Sequence, residues 1–450
     1  MVFVKILLGL AGLGIVVFIH ELGHFLAARL CKIKVEAFSI GWGKPFLKKK
    51  IGDVEYRLGI FPVGGYCKMA GDSDYQEVYD NIQKGINPEE GSFYAASPPR
   101  RMLVSVMGPL FNLIFAVIAL SFIWGGGFQI TTMGNRIVLA SDIYPDEYYP
   151  ADAAGMQTGD RIVEIGNKKI NYYHEIQEYI AVNADTPLPL AIDRNGEQRR
   201  FIITPRLDKS TGAGRIGVIS WVDPVLEAVL ENSPAFYAGL KSGDRIIAAN
   251  GKEIQNSLDM SVLLDGRPDA VSINFMRNGA VQNTQLIPDY SAEAVLGIQW
   301  ALLRYNSPAL PIHAALAKGV TEAWNTLTLT IRSFRLLFKG IDLTQAVSGP
   351  VRITYMMGDI AAEGFGQSAG TGIRSMANFL ALISIALCIM NLLPLPILDG
   401  GMIILFLIEF IRQKPLHPRA TAVFQTMGIV IICGLMVFAL FGDIMFLVKR

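Results

Sequence analysis

"VVFIHELGHFLAARL" (residues 16–30) is the stretch that decides the fold. It is apolar enough to sit in a bilayer, yet it carries His20, Glu21 and His24. It belongs to a longer run, Ile6–Leu30, which exceeds the roughly 20 apolar residues needed to cross a hydrocarbon core as a helix. An ionisable group at that depth costs roughly 2.5–3.5 kcal/mol on insertion scales, and such groups mark function by default. Only Lys5 precedes the run and no clean small-residue cleavage site follows, so it reads as a retained span rather than a signal peptide.

Three further runs are long enough to span: Met102–Trp124, Met376–Leu398 and Met427–Val448. The chain of 450 residues is 51% apolar with mean hydropathy +0.37, richer than a soluble domain. A net charge of +1 gives no basis for nucleic acid as a partner. The four cysteines, Cys31, Cys67, Cys388 and Cys433, lack the spacing of a zinc finger or a disulfide framework and are expected as single buried residues. Lysine and arginine cluster after the first run (Lys32, Lys34, Lys44, Lys48–Lys50, Arg57), before the second (Arg100, Arg101) and between the third and fourth (Arg412, Lys414, Arg419). All three segments fit one side, the cytoplasm, which leaves the long middle segment outside.

That middle segment repeats itself. "AAGMQTGDRIVEIGNKKI" (153–170) and "YAGLKSGDRIIAANGKEI" (237–254) share their Gly, Gly-Asp-Arg-Ile, Lys and Ile positions. The match means two copies of one module of about 85 residues. Each copy has a Gly-Asp turn, an apolar strand and an amphipathic helix such as Tyr173–Val182. The pattern "SPAFYAGLKSGDRIIAANG" (233–251) resembles a PDZ domain, a module that binds extended peptide by adding a strand to a sheet edge. The copies can equally act as spacers or steric shields. "GRIGVI" (214–219) is expected to line the second groove. "HAALAKGVTEAWNTLTLTIRSFRLLFKGI" (313–341) reads as an amphipathic helix on the membrane surface or as a plain soluble helix packed on the second module.

His20 and His24 stand four apart and share a helix face, with Glu21 one step around. His-Glu-x-x-His is the zinc-hydrolase pattern: two neutral imidazoles hold Zn²⁺ and the glutamate serves as general base on water. A catalytic site of this kind needs one more protein ligand and an open position. "NLLPLPILDGG" (391–401) supplies the other carboxylate at membrane depth, Asp399. Pro394 and Pro396 cannot continue a helix, and broken backbone at that depth is tolerated only inside protein or beside water. This segment is therefore expected to be extended and to aim Asp399 at the metal. Asn391 is placed to donate a hydrogen bond to an oxyanion.

The paired membrane motifs resemble the site-2 protease family of intramembrane metalloproteases. Four spans with two tandem PDZ domains between the second and third are similar to its bacterial regulator-of-sigma-E-protease branch. "FSIGWGKP" (38–45), "PVGGYCKM" (62–69), "GPLFN" (108–112) and "SGPVRI" (348–353) are similar to recurring segments of that branch. The resemblance implies a multi-pass protein of a bacterial inner membrane, with the active site toward the cytoplasm and the PDZ domains outside. It also implies a membrane-associated β-element, and "VEAFSIGW" (35–42), "VEYRLGIF" (54–61) and "GGYCKMA" (64–70) read as its strands. The implied substrate is a transmembrane protein of the anti-sigma-factor type, shortened first by another protease, or a leftover signal peptide. The PDZ pair binds the substrate ectodomain or screens it by size.

The expected organisation is a polytopic α-helical membrane protein. It has a first span with the His-Glu pattern (1–31), a cytoplasmic-side β-hairpin region (32–99), a second span (100–126), PDZ domains over 127–212 and 213–304, and an amphipathic region (305–374). A third span with the Leu-Asp-Gly motif (375–401), a cytoplasmic loop (402–425) and a fourth span (426–450) complete it. His20, His24 and Asp399 hold Zn²⁺, Glu21 moves the proton and Asn391 steadies the oxyanion or the substrate strand. Two other readings stay open: a non-enzymatic PDZ scaffold and a metal transporter.

Overall fold

The computed structural model describes residues 2–71, 79–80, 89–145, 147–209, 212–292, 294–337 and 349–448. Regions 32–99 and 305–374 are thus described in part, and Ser348 of "SGPVRI" lies outside the described residues. The chain forms two compact units. One is built on helices α1 (Val2–Leu30), α2 (Pro98–Gly126), α5 (Ile312–Leu337), α6 (Pro350–Gln367), α7 (Ala369–Leu392), α8 (Asp399–Arg412) and α9 (Pro418–Val448). The other carries α3 (Tyr173–Ala181) and α4 (Ser257–Asp265).

Among the described residues, four helices are long and apolar enough to cross a membrane: α1 from Leu7, α2, α7 and α9 as far as Met445. The chain is a polytopic membrane protein. Exposed Ile118, Phe122, Val430 and Val437 are what lipid-facing positions require. Cys31 and Cys388 are buried as expected, but Cys67 is only half-buried and Cys433 is exposed, because it lies on the outward face of α9.

The third span departs from expectation. Helix α7 ends at Leu392, and the chain turns through 393–398 rather than running extended. Ile397 adopts φ +76°, a costly conformation for a β-branched side chain. Gly400 and Gly401 let the turn fold back closely: a Cβ on either would lie 2.2–2.3 Å from the Leu393 or Leu395 carbonyl oxygen. A new helix, α8, starts at Asp399, so residues 402–412 of the expected loop are helical. "MIILFLIEFI" (402–411) is apolar and unbroken, and Leu405, Phe406 and Glu409 are buried. Glu409 pairs with Arg101 of α2 at 2.7 Å, and the Arg101 guanidinium carbon lies 4.7 Å from the Phe406 ring centre. Both members of the pair are almost fully buried, so either alone would be an uncompensated charge.

Helix α5 packs against α2 through small residues. The Leu310 amide donates to the Trp124 carbonyl, a Cβ on Gly319 would meet Ser121 Oγ at 2.2 Å, and Ala323 packs with Ala116, Ala119 and Leu120. Close backbone approach at small residues is how helices associate in lipid, where hydrophobicity drives nothing. Helix α6 sits on α1 in the same way, with Gly9 and Gly12 against Thr354 and Met357. Its N-terminus is capped from another helix. The buried Asp443 carboxylate of α9 accepts from the amides of Gly349 (2.9 Å), Val351 (3.0 Å) and Arg352 (3.3 Å). Asp443→Leu leaves those donors without an acceptor, at about 1–3 kcal/mol each for a buried group. The expected result is a lower unfolding midpoint in detergent by thermal shift. An unchanged midpoint would remove Asp443 from the account of stability.

In the other unit the repeat is structural as well as sequential. The first copy has a sheet in the order Lys168–Lys169, Arg161–Ile165, Leu188–Arg194, Glu197–Ile203, with α3 packed on it. The second has Lys252–Glu253, Arg245–Ala249, Val271–Arg277, Ala280–Leu286, with α4. Buried Asp160 and Asp244 anchor the two Gly-Asp turns through Arg194 (2.7 Å) and Arg277 (2.6 Å). Each arginine also donates to the carbonyl of the preceding turn glycine, Gly155 or Gly239.

The expected boundary at 212/213 moves. Val218–Ser220 pairs with Ile137–Leu139, and Ile216 joins the core of the first module, so "GRIGVI" closes the first copy rather than lining the second. Tyr173 of α3 donates to the Val218 carbonyl at 2.7 Å. Burial pushes that hydroxyl up to about 12, so it remains a donor at any ordinary pH. In the second copy "AVLGIQW" (294–300) does the same work, with Ile298–Trp300 paired to Leu226–Val229. Gly217 and Gly297 hold the same place in both, at φ +83° and +69°, and a Cβ on either would lie 2.1 Å from Tyr149 or Ser233.

Candidate metal centre

Helix α1 carries His20 and His24 one turn apart, and their Nε2 atoms converge to 3.1 Å. Asp399, in the first turn of α8, completes a triangle: Oδ2 lies 3.3 Å from His20 Nε2 and Oδ1 lies 3.4 Å from His24 Nε2. The three side chains are only 12–18% exposed. The strained turn at Ile397 and the close-packed Gly400 and Gly401 put the carboxylate there. Two stretches of chain separated by more than 370 positions thus meet at one point.

Helix α2 closes over this triangle without a side chain between. A Cβ on Gly108 would lie 2.4 Å from His24 Nε2 and 2.9 Å from His20 Cε1. From the other side, a Cβ on Gly23 would lie 2.2 Å from the Met107 carbonyl oxygen. Two glycines facing each other's helices set the spacing of α1 and α2. His24 Nδ1 lies 2.8 Å from the Val104 carbonyl. A carbonyl only accepts, so Nδ1 carries the proton and Nε2 offers its lone pair to the triangle. His20 Nδ1 lies 3.3 Å from the side-chain amide of Asn112, which is fully buried in α2.

The β-element lies against the same helix. Strands β1 (Val35–Ile51) and β2 (Val54–Met69) form one bent sheet, in which Ala37 faces both Glu55 and Lys68 and Ser39 faces both Arg57 and Tyr66. Three expected strands are therefore two long ones. Phe38 of β1 meets the Phe18 and Phe25 rings of α1 edge-on, and Ile40 of β1 and Cys67 of β2 join the same cluster. The Cys67 backbone amide bonds to the Glu21 carboxylate, and a Cβ on Gly65 would lie 3.2 Å from Glu21 Cγ, so only glycine leaves β2 this close to Glu21 without crowding. Glu21 is thereby held beside the triangle by strand backbone.

The donor set fits zinc. Two imidazoles and a carboxylate are its usual oxygen and nitrogen partners, and three protein ligands leave a position open. Bonds of about 2.0–2.1 Å in a tetrahedron give ligand-to-ligand edges of about 3.3–3.4 Å. The three edges here, 3.1, 3.3 and 3.4 Å, match. Asn391 is half-buried near the end of α7, and its side chain makes no hydrogen bond among the described residues. Gly23, Val104, Gly108 and Asn112 were not singled out from sequence as parts of the site. Only the "GPLFN" segment pointed toward two of them.

Comparison with known proteins gives the chain a family. Residues 8–435 match the model of peptidase family M50. A putative zinc metalloprotease of Treponema pallidum is 37% identical over 447 residues, covering 99% of each chain. The regulator of sigma E protease of Haemophilus influenzae is 30% identical over 451 residues, covering 96% of each. The regulator of sigma-E protease RseP of Escherichia coli is 29% identical over 475 residues, covering 96% of this chain and 97% of its own. A family model that spans nearly the whole chain, including both halves of the His and Asp triangle, leaves one assignment: the chain belongs to peptidase family M50 and is a metalloprotease.

Proposed function

We propose that this chain is a zinc endopeptidase that cuts transmembrane segments of single-span membrane proteins. The observation that carries the reading is the buried triangle of His20, His24 and Asp399 with Glu21 held beside it. When bound, the ion supplies Lewis acidity that polarises the scissile carbonyl and acidifies water. His20, His24 and Asp399 are its ligands. Glu21 takes the proton of the attacking water and delivers it to the leaving amine. The Cys67 amide fixes the carboxylate for that transfer. Asn391 is assigned to the substrate strand or the oxyanion, which it would reach once substrate is present.

A membrane helix hides its backbone in its own hydrogen bonds, so a substrate must unwind to be cut. Strand β2 runs beside Glu21, and its Gly65–Met69 stretch offers strand backbone to an extended segment. Strand addition there satisfies groups that lipid cannot. The two modules of the second unit are PDZ domains in this reading, placed outside the membrane, where they bind or exclude substrate ectodomains. The relatives' names tie them to sigma-E regulation. We infer the same substrate class here, an anti-sigma-type protein after a first cut, in a bacterial inner membrane, with leftover signal peptides as a second source.

The test is reconstitution of the full chain in lipid with a model single-span substrate. Cleavage is expected to vanish with a zinc chelator and to return with added Zn²⁺. Cleavage that persists under chelation ends the metal reading. Metal flux across the vesicle without cleavage supports a transporter instead.

A further inference from the structure

We propose that Asn112 is a positioning residue for the metal centre: its side-chain oxygen holds the His20 Nδ1 proton and so keeps the Nε2 lone pair turned toward the ion. The inference rests on the zinc reading above. An imidazole that binds metal through one nitrogen must carry its proton on the other, and that proton needs an acceptor. His24 has the Val104 carbonyl at 2.8 Å. His20 has the Asn112 side-chain amide, with one amide atom 3.3 Å from Nδ1.

Asn112 is fully buried in the middle of α2, where a polar amide is costly without a partner. With Nδ2 facing the ring, Oδ1 is buried and bonded to nothing. Oxygen and nitrogen of an amide exchange by a half-turn of the side-chain amide and are told apart only through their partners. With nitrogen toward Nδ1, His20 must hold its proton on Nε2, which suits a bond to Asp399. With oxygen toward Nδ1, the proton moves to that side and Nε2 is free for the ion. Asparagine serves both forms because it both donates and accepts. Leucine has its shape and neither ability. Aspartate accepts only, which suits the metal-bound form alone.

The experiment uses the full chain in detergent and inorganic Zn²⁺, with affinity read by competition against a chelator of known strength. Asn112→Leu is expected to weaken zinc binding by about 10–100-fold, the usual cost of removing a partner of a ligating histidine. Asn112→Asp is expected to bind zinc at least as tightly as wild type. A leucine variant that binds as wild type does overturns the proposal. So does an aspartate variant as weak as the leucine one, since that pattern means packing rather than an acceptor. Should Asn112→Leu fail to fold, Asn112→Asp decides alone, and binding weaker than wild type overturns the assignment. Wild type that binds no zinc sinks the metal reading itself. Wild type that binds zinc, with indifferent variants, sinks only the role of Asn112.

Discussion

Glu21→Gln is expected to reduce cleavage of a transmembrane substrate by about 10²–10⁴-fold, the usual contribution of a positioned general base, while zinc content stays at the wild-type level. The two outcomes separate because Glu21 is outside the triangle of Nε2 and Oδ atoms. Glutamine keeps the size of the side chain and still accepts from the Cys67 amide through its oxygen. It lacks the basic site that removes a proton from water and returns it to the amine. Cleavage in lipid and metal content of the purified chain are the two measurements. Unchanged cleavage would return the chain to the scaffold reading, in which its modules act and its membrane site is idle. Lost zinc would make Glu21 a ligand and leave the base unassigned.

The parts legible in the sequence were those whose physics is local. His20 and His24 are read from helical spacing alone, and their position in an apolar run gives them weight. Asp399 is read because two prolines, two glycines and a carboxylate have no reason to share a span unless the chain breaks there. The Gly-Asp turns of the two modules are read because each repeats the same short pattern. Less of what depends on partners distant in sequence was visible. Nothing in "MIILFLIEFI" distinguishes a loop at the membrane surface from helix α8, which exists because Arg101 and α2 receive it. The first module borrows "GRIGVI" from beyond its apparent end, so counting forward from the turn motif put the boundary too early. Helix α5 reads as amphipathic, but the spacing of Ala315, Gly319 and Ala323 matters only against Gly125, Ser121 and Ala119 of another helix. Asn112 is one asparagine in an apolar span until the His20 ring appears beside it.

Gly108→Ala is expected to lower cleavage by at least about 10²-fold with a change of one methyl group. The new Cβ would lie 2.4 Å from His24 Nε2, 2.5 Å from His24 Cε1 and 2.9 Å from His20 Cε1, closer than real carbon contacts allow. The rings have little freedom to yield. His24 is tied to the Val104 carbonyl, and His20 faces Asn112. The helices cannot separate cheaply either, because Gly23 already rests on the Met107 carbonyl and a wider gap would leave a void in packed protein. One imidazole must therefore leave the triangle, and a displacement near 1 Å at a reacting centre costs about 10²-fold. Zinc affinity is expected to fall with activity, unlike the Glu21→Gln case, where only activity falls. Gly434→Ala, in α9 with open space around it, supplies the control and is expected to cleave as wild type does. If Gly108→Ala retains both zinc and cleavage, α1 and α2 are not held at the spacing described, and the triangle owes its geometry to something other than the two facing glycines.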